Sequence, residues 1–408
     1  MRHIRETSGN VFFTAALALG VLAPLSTAHA SKEHVLYRFS GSDGGYPEGG
    51  VLATDGVGNF YGTTSGGGAS GDGAIFKLGS DGSETVLYSF TGGSDGSIPI
   101  GGVVRDKAGN LYGTALHGGA NNNLCVESTC GTVYRVAPDG TFTVLYTFTG
   151  GTDGGNPFAG LILDSKGNLY GTTEQGGSET QNCGPYGCGT VFEVSRKGKE
   201  TVLYSFHGYQ VNDGYNPLGG LTRDDSGNLY GTTFQGGAKS CNCGTVFEVS
   251  PEGNETVLHS FNGGDGNGPT LENPVLDKHG NLYGTTDSEG PGGFGTAFRL
   301  SSKGKLTILH GFAGGDDGGY VYGGLTLDKE GNFYGTAAGY GANGYGTVYK
   351  IASDDTFTVL HAFAGGNDGA SPYMSLLSRK GSLYGGTYSG GGSANCTNGC
   401  GTVFKVRR

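Results

Sequence analysis

The chain has 408 residues, of which 86 are glycine, and its formal net charge is −11. The negative charge is spread thinly and no basic run offsets it, which argues against binding of nucleic acid or of an anionic membrane surface. This much glycine would indicate disorder if it lacked a period. A strong repeat is present, with apolar and aromatic residues at fixed places, so the composition indicates a folded repeat protein.

The N-terminus has the features of a secretory signal peptide. Arg2 and Arg5 precede an apolar run at 11–23, and Ala28-His29-Ala30 matches a small-x-small cleavage pattern. The apolar run is too short to span a bilayer, which needs about 20 residues. We therefore predict a signal peptide at 1–30, a mature chain that starts at residue 31, no membrane span, and a secreted or periplasmic location.

One heptapeptide, Gly-Asn-Leu-Tyr-Gly-Thr-Thr, organises the rest of the chain. It stands at 167–173, 227–233 and 280–286, and variants begin at Gly58, Gly109, Gly331 and Gly381. Each of the seven units contains four short runs rich in Val, Leu, Tyr, Phe and Thr, bounded by Gly, Asp or Asn, which is typical of strands. In the third unit these predicted strands are 160–164, 168–172, 189–194 and 201–206.

These units predict an all-β, seven-bladed β-propeller with four antiparallel strands per blade, formed by one domain at 31–408. A single four-stranded sheet cannot bury both faces, whereas radial stacking lets neighbouring sheets bury each other. The mature chain begins with a fourth-type strand at 35–39 and ends with a third-type strand at 401–406. We expect these two strands to pair, which closes the ring and removes its open edges.

Turn residues define the connections between strands. An Asp-x-x-Gly-Asn hairpin joins the first strand to the second, and its aspartates are Asp55, Asp106, Asp164, Asp224, Asp277 and Asp328, with Ser378 in the seventh unit. Asp is suited to start such a turn and Gly to take its left-handed position. The loops between strands 2 and 3, with the crossings to the next blade, lie on one side of the ring, called here the loop face. We place any binding site there.

All eight cysteines fall in loops between strands 2 and 3. They form four close pairs, Cys125/Cys130, Cys183/Cys188, Cys241/Cys243 and Cys396/Cys400. Local disulfides are the default for paired cysteines in an exported protein. The tight Cys241/Cys243 pair is the least certain of the four. Zinc is disfavoured, because each pair offers two thiols and nothing nearby in sequence supplies the other ligands.

An Asp-Gly-x-x-Pro motif marks each crossing, although the sixth unit has Val321 in place of Pro. Its aspartates are Asp43, Asp95, Asp153, Asp213, Asp265, Asp317 and Asp368. Two interpretations stay open. A ring of seven carboxylates near a central channel would hold a hard cation such as Ca²⁺, whereas a structural role has each Asp cap its own turn. Repetition in every blade favours the structural role, and no cofactor is expected.

Tyrosines are frequent on the predicted loop face, and they suit a glycan or a protein ligand because they combine rigid area with a polar tip. The candidates are Tyr46, Tyr186, Tyr209, Tyr215, Tyr320, Tyr340 and Tyr373; we select Tyr46, Tyr215, Tyr320 and Tyr373, with the crossing aspartates, as candidate ligand-binding residues. Packing under their own loops is the alternative. His259, His310 and His361 stand where Tyr88, Tyr146 and Tyr204 stand in other units, which indicates aromatic-like packing.

The motifs quoted above, with Gly-Thr-Val-Phe and Thr-Val-Leu-Tyr-Ser-Phe-x-Gly-Gly-x-Asp-Gly, resemble the GloVer tandem repeat of bacterial exported proteins. The resemblance covers 34–408 and implies a propeller without an established activity. Members of that family often carry a C-terminal surface anchor; this sequence stops at Arg407-Arg408, so we expect a soluble product.

Function is bounded only coarsely by the sequence. The first hypothesis is a secreted, non-catalytic and monomeric binding propeller with a glycan or protein ligand on its loop face. A second is a divalent-cation-dependent lyase or hydrolase, for which His117 with Glu127 or Glu174 is one conceivable pair. A third is a structural, envelope-associated protein. Zincin and nucleophile-elbow motifs are missing from the sequence, and this favours the first hypothesis.

Overall fold

Seven antiparallel sheets form the structure, a computed structural model that describes residues 33–119, 123–125, 129–178, 183–208, 213–237, 241–270 and 272–408. The predicted signal peptide lies outside these residues, as do Glu127 and Tyr209.

The chain opens with β1 (His34–Arg38). Blades 1 to 3 follow as β2 (Ala53–Thr54), β3 (Phe60–Thr64), β4 (Ala74–Leu78), β5 (Glu84–Ser89); β6 (Val104–Arg105), β7 (Leu111–Ala115), β8 (Thr132–Val136), β9 (Phe142–Thr147); and β10 (Ile162–Leu163), β11 (Leu169–Thr173), β12 (Thr190–Val194), β13 (Glu200–Ser205).

Blades 4 to 7 repeat this order. They contain β14 (Thr222–Arg223), β15 (Leu229–Thr233), β16 (Thr245–Val249), β17 (Glu255–Ser260); β18 (Asn267–Pro269), β19 (Val275–Leu276), β20 (Leu282–Ser288), β21 (Thr296–Leu300), β22 (Leu306–Gly311); β23 (Thr326–Leu327), β24 (Phe333–Ala337), β25 (Thr347–Ile351), β26 (Phe357–Ala362); and β27 (Leu377–Arg379), β28 (Ser382–Thr387), β29 (Thr402–Arg407). Blade 5 has a fifth strand, because its crossing segment β18 pairs with β20. One 3-10 turn, Gly366–Asp368, precedes blade 7.

The ring closes as predicted. Blade 7 has the order β1-β29-β28-β27, so its outermost strand comes from the opposite end of the chain. The pairing is antiparallel and runs from His34 opposite Lys405 to Arg38 opposite Thr402. Every blade therefore has four main strands, and the prediction of a closed seven-bladed propeller is confirmed.

The repeated heptapeptide has a physical explanation in the first hairpin of each blade. In blade 3, Asp164 Oδ1 accepts hydrogen bonds from the backbone amides of Lys166 and Asn168, each at 2.8 Å. Its Oδ2 accepts from Asn168 Nδ2 at 3.2 Å and from the Tyr170 hydroxyl at 3.3 Å. Partial burial opposes ionisation of this carboxyl, but the hydrogen bonds outweigh it and lower the pKa of Asp164. Asp, Asn and Tyr thus recur together because one carboxylate binds both partners.

Aromatic pairs between blades form the core. The phenylalanine that follows the fourth strand of one blade meets the ring on the third strand of the next, with centroids 5.1 to 5.2 Å apart. Edge-to-face contacts of this kind stabilise a core beyond the area that they bury. The seven pairs are Phe39–Phe76, Phe90–Tyr134, Phe148–Phe192, Phe206–Phe247, Phe261–Phe298, Phe312–Tyr349 and Phe363–Phe404.

The first Thr of the heptapeptide joins neighbouring blades. Thr172 is buried, and its hydroxyl donates to the Gly219 carbonyl on the crossing into blade 4 at 2.9 Å. Equivalent bonds are made by Thr114, Thr232, Thr285 and Thr336. Thr63 of blade 1 is also buried, but its hydroxyl has no hydrogen-bond partner among the described residues.

This contrast gives a paired test. Thr172→Val is expected to lower the free energy of unfolding by about 1–3 kcal/mol, because it leaves a buried carbonyl without a donor. Thr63→Val is the matched control, and it should leave stability unchanged or raise it, because no bond is lost. Urea unfolding of both variants measures the difference. Equal effects of the two substitutions would contradict an inter-blade role for the hydroxyl.

Among the residues that the structure describes, no helix is long and apolar enough to cross a membrane.

Candidate functional site

The crossing aspartates act first as acceptors for their own turns. Asp95 Oδ2 accepts from the Thr91 amide at 2.9 Å and from the Tyr88 hydroxyl at 3.0 Å, and Oδ1 accepts from the Thr91 hydroxyl at 2.6 Å. Burial opposes ionisation of Asp95, but these bonds outweigh it and lower its pKa. The same turn is capped in the other blades by Asp43, Asp153, Asp213, Asp265, Asp317 and Asp368.

These carboxylates are therefore paired with the outermost strands. The cavity on the axis is lined by first-strand residues, and the seven aspartates are not among its lining residues. The structure thus shows the turn-capping role that the repetition favours. Contact of these aspartates with a ligand or with Ca²⁺ stays a prediction.

The three histidines occupy the tyrosine position, in line with the packing role predicted for them. His259 and His310 place Nε2 3.0 Å from Asp265 Oδ2 and Asp317 Oδ2 respectively. Each ring also packs edge-on against a buried Phe two residues later, such as Phe312 at 4.7 Å. Of the conceivable catalytic pair, His117 Nδ1 lies 3.1 Å from Asn156 Nδ2, and Glu174 lies on the next blade, 3.5 Å from the Asn216 amide.

All four predicted cysteine pairs are disulfide-bonded, and their Cα atoms lie 5.0 to 5.3 Å apart. The second cysteine of each pair stands directly before the third strand and is fully buried, at Cys130, Cys188, Cys243 and Cys400. A Cβ added to Gly150 would meet Cys125 Sγ at 2.3 Å. This disulfide thus packs against the crossing beside it, and it fixes the loop from which the face is built.

A row of four tyrosines crosses the loop face over blades 1, 7 and 6, and we call it the aromatic ridge. Tyr46 stacks on Tyr388 with ring centroids 4.9 Å apart, Tyr388 meets Tyr373 at 5.2 Å, and Tyr373 meets Tyr322 at 5.1 Å. The Tyr46 hydroxyl accepts a hydrogen bond from the Thr397 amide at 2.9 Å. All four rings are partly exposed. The ridge is therefore ordered by its own contacts while part of it faces solvent.

Two acids flank the aromatic ridge. Glu48 follows Pro47 at the crossing into blade 1, and burial raises the pKa of its carboxyl. Its charge acts on both Tyr373 and Tyr388. At the other end Asp287 acts on Tyr322, and burial together with the nearby Glu289 raises the pKa of Asp287 to about 6, against a hydrogen bond from Ser288. The ridge thus carries carboxyl groups beside its hydroxyls.

The remaining candidate tyrosines are not members of this row, although Tyr320 acts on Tyr322 at its end. Tyr320 is 41% exposed and packs near Phe294 and Tyr340, with ring centroids at 5.8 and 5.6 Å. The Tyr215 hydroxyl accepts a hydrogen bond from Asn242 at 2.8 Å in blade 4. Tyr186 is exposed in the blade 3 loop. Of the four selected tyrosines, the structure places Tyr46 and Tyr373 in the row, Tyr320 near its Tyr322 end, and Tyr215 elsewhere.

The axis of the ring holds a cavity of about 800 Å³, and the carboxylic acid Glu272 is among its lining residues. Glu272, 9% exposed, reaches from blade 5 to blade 1, where its Oε1 accepts a hydrogen bond from the Gly50 amide at 2.7 Å. Burial raises the pKa of Glu272 to about 7, although bonds from Gly50 and Ser375 oppose the shift. One carboxyl therefore ties three blades together on the axis.

Sequence reasoning missed Glu272, Glu48, Tyr322 and Tyr388, although a signal for them exists. Where most units read Gly-Gly or Ala-Gly before the first strand, the fifth reads Glu272-Asn273-Pro274. The residue after the crossing Pro is Tyr only in blades 6 and 7, counting Val321 as the sixth unit's equivalent. Departures from the repeat, rather than the repeat itself, mark these positions.

The fold and its loop face define a seven-bladed β-propeller built from one tandem sequence repeat, closed by its N-terminal strand. Within that class the chain belongs to the Gloeobacter/Verrucomicrobia repeat family, whose profile matches residues 18–181 and 178–404. No curated protein matches the chain.

Several solved structures are similar to it at 14% sequence identity. They include a candidate gluconolactonase (TM-score 0.37, covering 68% of this chain and 80% of that one) and a gluconolactonase from Xanthomonas campestris (0.41, 75% and 86%). A third is a candidate 6-phosphogluconolactonase from Bacteroides uniformis (0.48, 80% and 88%). At this identity the likeness concerns the fold alone.

Proposed function

We propose that this protein is an exported, non-catalytic binding module that holds a glycan on the aromatic ridge of its loop face. The observation that carries the proposal is the continuous row Tyr46–Tyr388–Tyr373–Tyr322. A sugar has apolar C–H faces and polar hydroxyls, and tyrosine offers both an apolar ring and a hydrogen-bonding tip. Ordered rings also lose little conformational entropy when a ligand binds.

The flanking carboxyl groups support a polyhydroxylated ligand. Glu48 lies within electrostatic reach of Tyr373 and Tyr388, and a carboxylate there would accept hydrogen bonds from sugar hydroxyls. Such polar groups fix orientation in a site whose area is otherwise aromatic. A nucleic acid would meet carboxylates instead of basic side chains here, and this opposes it as a ligand.

The one-sided position of the row also favours binding over scaffolding. The residue that follows the crossing Pro or its equivalent is Glu48, Ile100, Phe158, Leu218, Thr270, Tyr322 and Tyr373 in the seven crossings. A residue needed to build each blade would repeat, as the turn aspartates do. The tyrosines vary where the scaffold is constant, which is the usual place of a specific site.

The covalent features support an export pathway and a location outside the cytoplasm for this function. Four disulfides and the predicted signal peptide support an oxidising compartment, outside the cell or in the periplasm. We propose that the mature chain acts there as a monomer, because intramolecular pairing of β1 with β29 uses the strand edges through which copies would otherwise join.

Tyr373→Ala tests the proposal. We expect at least a tenfold loss of affinity, about 1.4 kcal/mol or more, because Tyr373 contacts both neighbours in the row. A glycan array identifies the ligand and calorimetry measures the affinity. Tyr345→Ala is the matched control: Tyr345 is 48% exposed on the same face, outside the row, and its removal should change nothing.

Two outcomes would overturn the proposal. One is a wild-type protein that binds no glycan on the array but captures a protein instead. The other is a Tyr373→Ala variant with the affinity of the Tyr345→Ala control.

A further inference from the structure

Each junction between blades places three side chains together on the outer rim. The Tyr or His of one fourth strand and the crossing Asp next to it face the residue that starts the next fourth strand. At the junction of blades 1 and 2 that residue is Phe142, which stacks on Tyr88 at 3.8 Å. At the junction of blades 5 and 6 it is Phe357, which stacks on His310 at 3.7 Å. The third side chain is therefore always at the start of the next fourth strand, but its residue type varies.

Glutamate takes this third place at four junctions. Glu84, Glu200 and Glu255 stand within electrostatic reach of Asp43, Asp153 and Asp213, and the aromatic member at each of these junctions is a Tyr. Glu33 takes it at the junction of blades 6 and 7, and there the aromatic member is His361. This junction alone combines a histidine with a glutamate. It therefore places an imidazole next to two carboxylates, whereas the other glutamate junctions have a tyrosine in place of the histidine.

The geometry at this junction is that of a metal-ligand set. Glu33, His361 and Asp368 each offer one ligand atom, and the three atoms lie within 4.8 Å of one another, the only such group among the described residues. His361 Nε2 lies 3.3 Å from Asp368 Oδ2 without forming a hydrogen bond, whereas His259 and His310 hydrogen-bond their aspartates at 3.0 Å.

Two of the ligand atoms are shielded from solvent, and both residues interact with the carboxylate of Asp368. Within ordinary hydrogen-bond geometry, Glu33 Oε1 and His361 Nε2 themselves have no bonded partner among the described residues. A buried polar atom normally has a partner. Arg38 on the same strand donates its Nε to the Asn367 carbonyl at 3.1 Å, and its charge partly offsets that of the two carboxylates at Glu33. A lone pair on an imidazole nitrogen and two carboxylates thus converge on one point.

We propose that Glu33, His361 and Asp368 bind a divalent transition-metal ion of the Zn²⁺ type, which clamps the N-terminal strand to blade 6. One imidazole nitrogen with two carboxylate oxygens is a donor set that suits Zn²⁺. Ca²⁺ is disfavoured because it takes oxygen ligands. Glu33 directly precedes β1, the strand that completes blade 7, so the ion holds the ring at its closing point.

Zinc titration of the purified protein without a histidine tag tests this site. Calorimetry should show one strongly bound Zn²⁺ per chain, and Zn²⁺ at about a hundred times its dissociation constant should raise the melting temperature by about 4 °C. His361→Tyr restores the Tyr-Asp-Glu set of other junctions, and Glu33→Phe restores the His-Asp-Phe set of blades 5 and 6. Each should weaken zinc binding at least tenfold.

The repeat supplies the control. His310→Tyr makes the same chemical change at the junction of blades 5 and 6, beside Phe357, and should leave zinc affinity unchanged. The two test substitutions use sets that already occur in this fold, and either one suffices if the other fails to fold. A wild-type protein without a zinc response overturns the proposal, as does a His361→Tyr or Glu33→Phe variant that binds zinc like His310→Tyr.

Discussion

Deletion of residues 31–40 is expected to prevent formation of a stable ring. The deletion removes β1, which pairs with β29 from His34 to Arg38, and Phe39, which is 1% exposed and meets Phe76 at 5.1 Å. Loss of one buried Phe alone costs about 3–5 kcal/mol. The strand hydrogen bonds are lost as well, so the total approaches the whole stability of an ordinary domain. Differential scanning calorimetry should show no cooperative transition near that of the intact protein.

A chain that lacks only residues 1–30 is the control for this deletion. This chain is the predicted mature protein; it keeps the closing strand and should melt in one cooperative transition. If both truncated chains melt at the same temperature, the ring does not depend on β1, and the account of its closure is wrong.

Glu272→Gln is expected to stabilise the protein and to flatten its pH profile. Burial raises the pKa of Glu272 from 4.5 to about 7, so the folded protein keeps a proton that the unfolded chain releases. The free energy of unfolding contributed by this group therefore falls as pH rises from about 4.5 to 7, and is constant above that. The shift corresponds to roughly 3 kcal/mol. Gln keeps an acceptor for the Gly50 amide but carries no charge.

Chemical unfolding at pH 4, 6 and 8 measures this effect. The variant and the wild type should agree near pH 4, and the variant should be the more stable at pH 8 by up to roughly that amount. Other buried carboxyls, such as Glu255, contribute to the profile of both proteins, so the difference between the two isolates Glu272. Glu330→Gln, on an exposed hairpin, should follow the wild type. Parallel curves for Glu272→Gln and the wild type would refute the assignment.

The parts of the fold that recur could be predicted from the sequence. Asp164, Asn168 and Tyr170 bond one another within seven residues, so their spacing is the same in most blades and is visible in the chain. The pairing of β1 with β29 could be predicted as well. The sequence has a fourth-type strand near its start with no preceding strands of a blade, and a third-type strand near its end with no fourth strand after it. The disulfides followed for the same reason, since each joins cysteines no more than five residues apart.

The candidate site could not be assembled in this way. Tyr46 and Tyr388 stack although 342 residues separate them, and only the curvature of the ring decides that they meet. Glu272 reaches Gly50 across the axis, a pairing that repeat alignment does not contain. The prediction from residue type selected the aspartates because they recur. A residue that recurs in every blade has a role in building the blade. A single binding site needs only a few residues, and these depart from the repeat.

The pairing of β1 with β29 also fixes the order of assembly. Residues near 35 are made long before their partners near 404, so blade 7 cannot form until that later segment has been synthesised. Contacts this distant in sequence are slow to form, because the entropy cost of closing a long loop comes before any stabilising hydrogen bond is made. If the chain crosses a membrane unfolded, blade 7 is still incomplete during transport. The ring can close only after both β1 and β29 have reached the same side of the membrane.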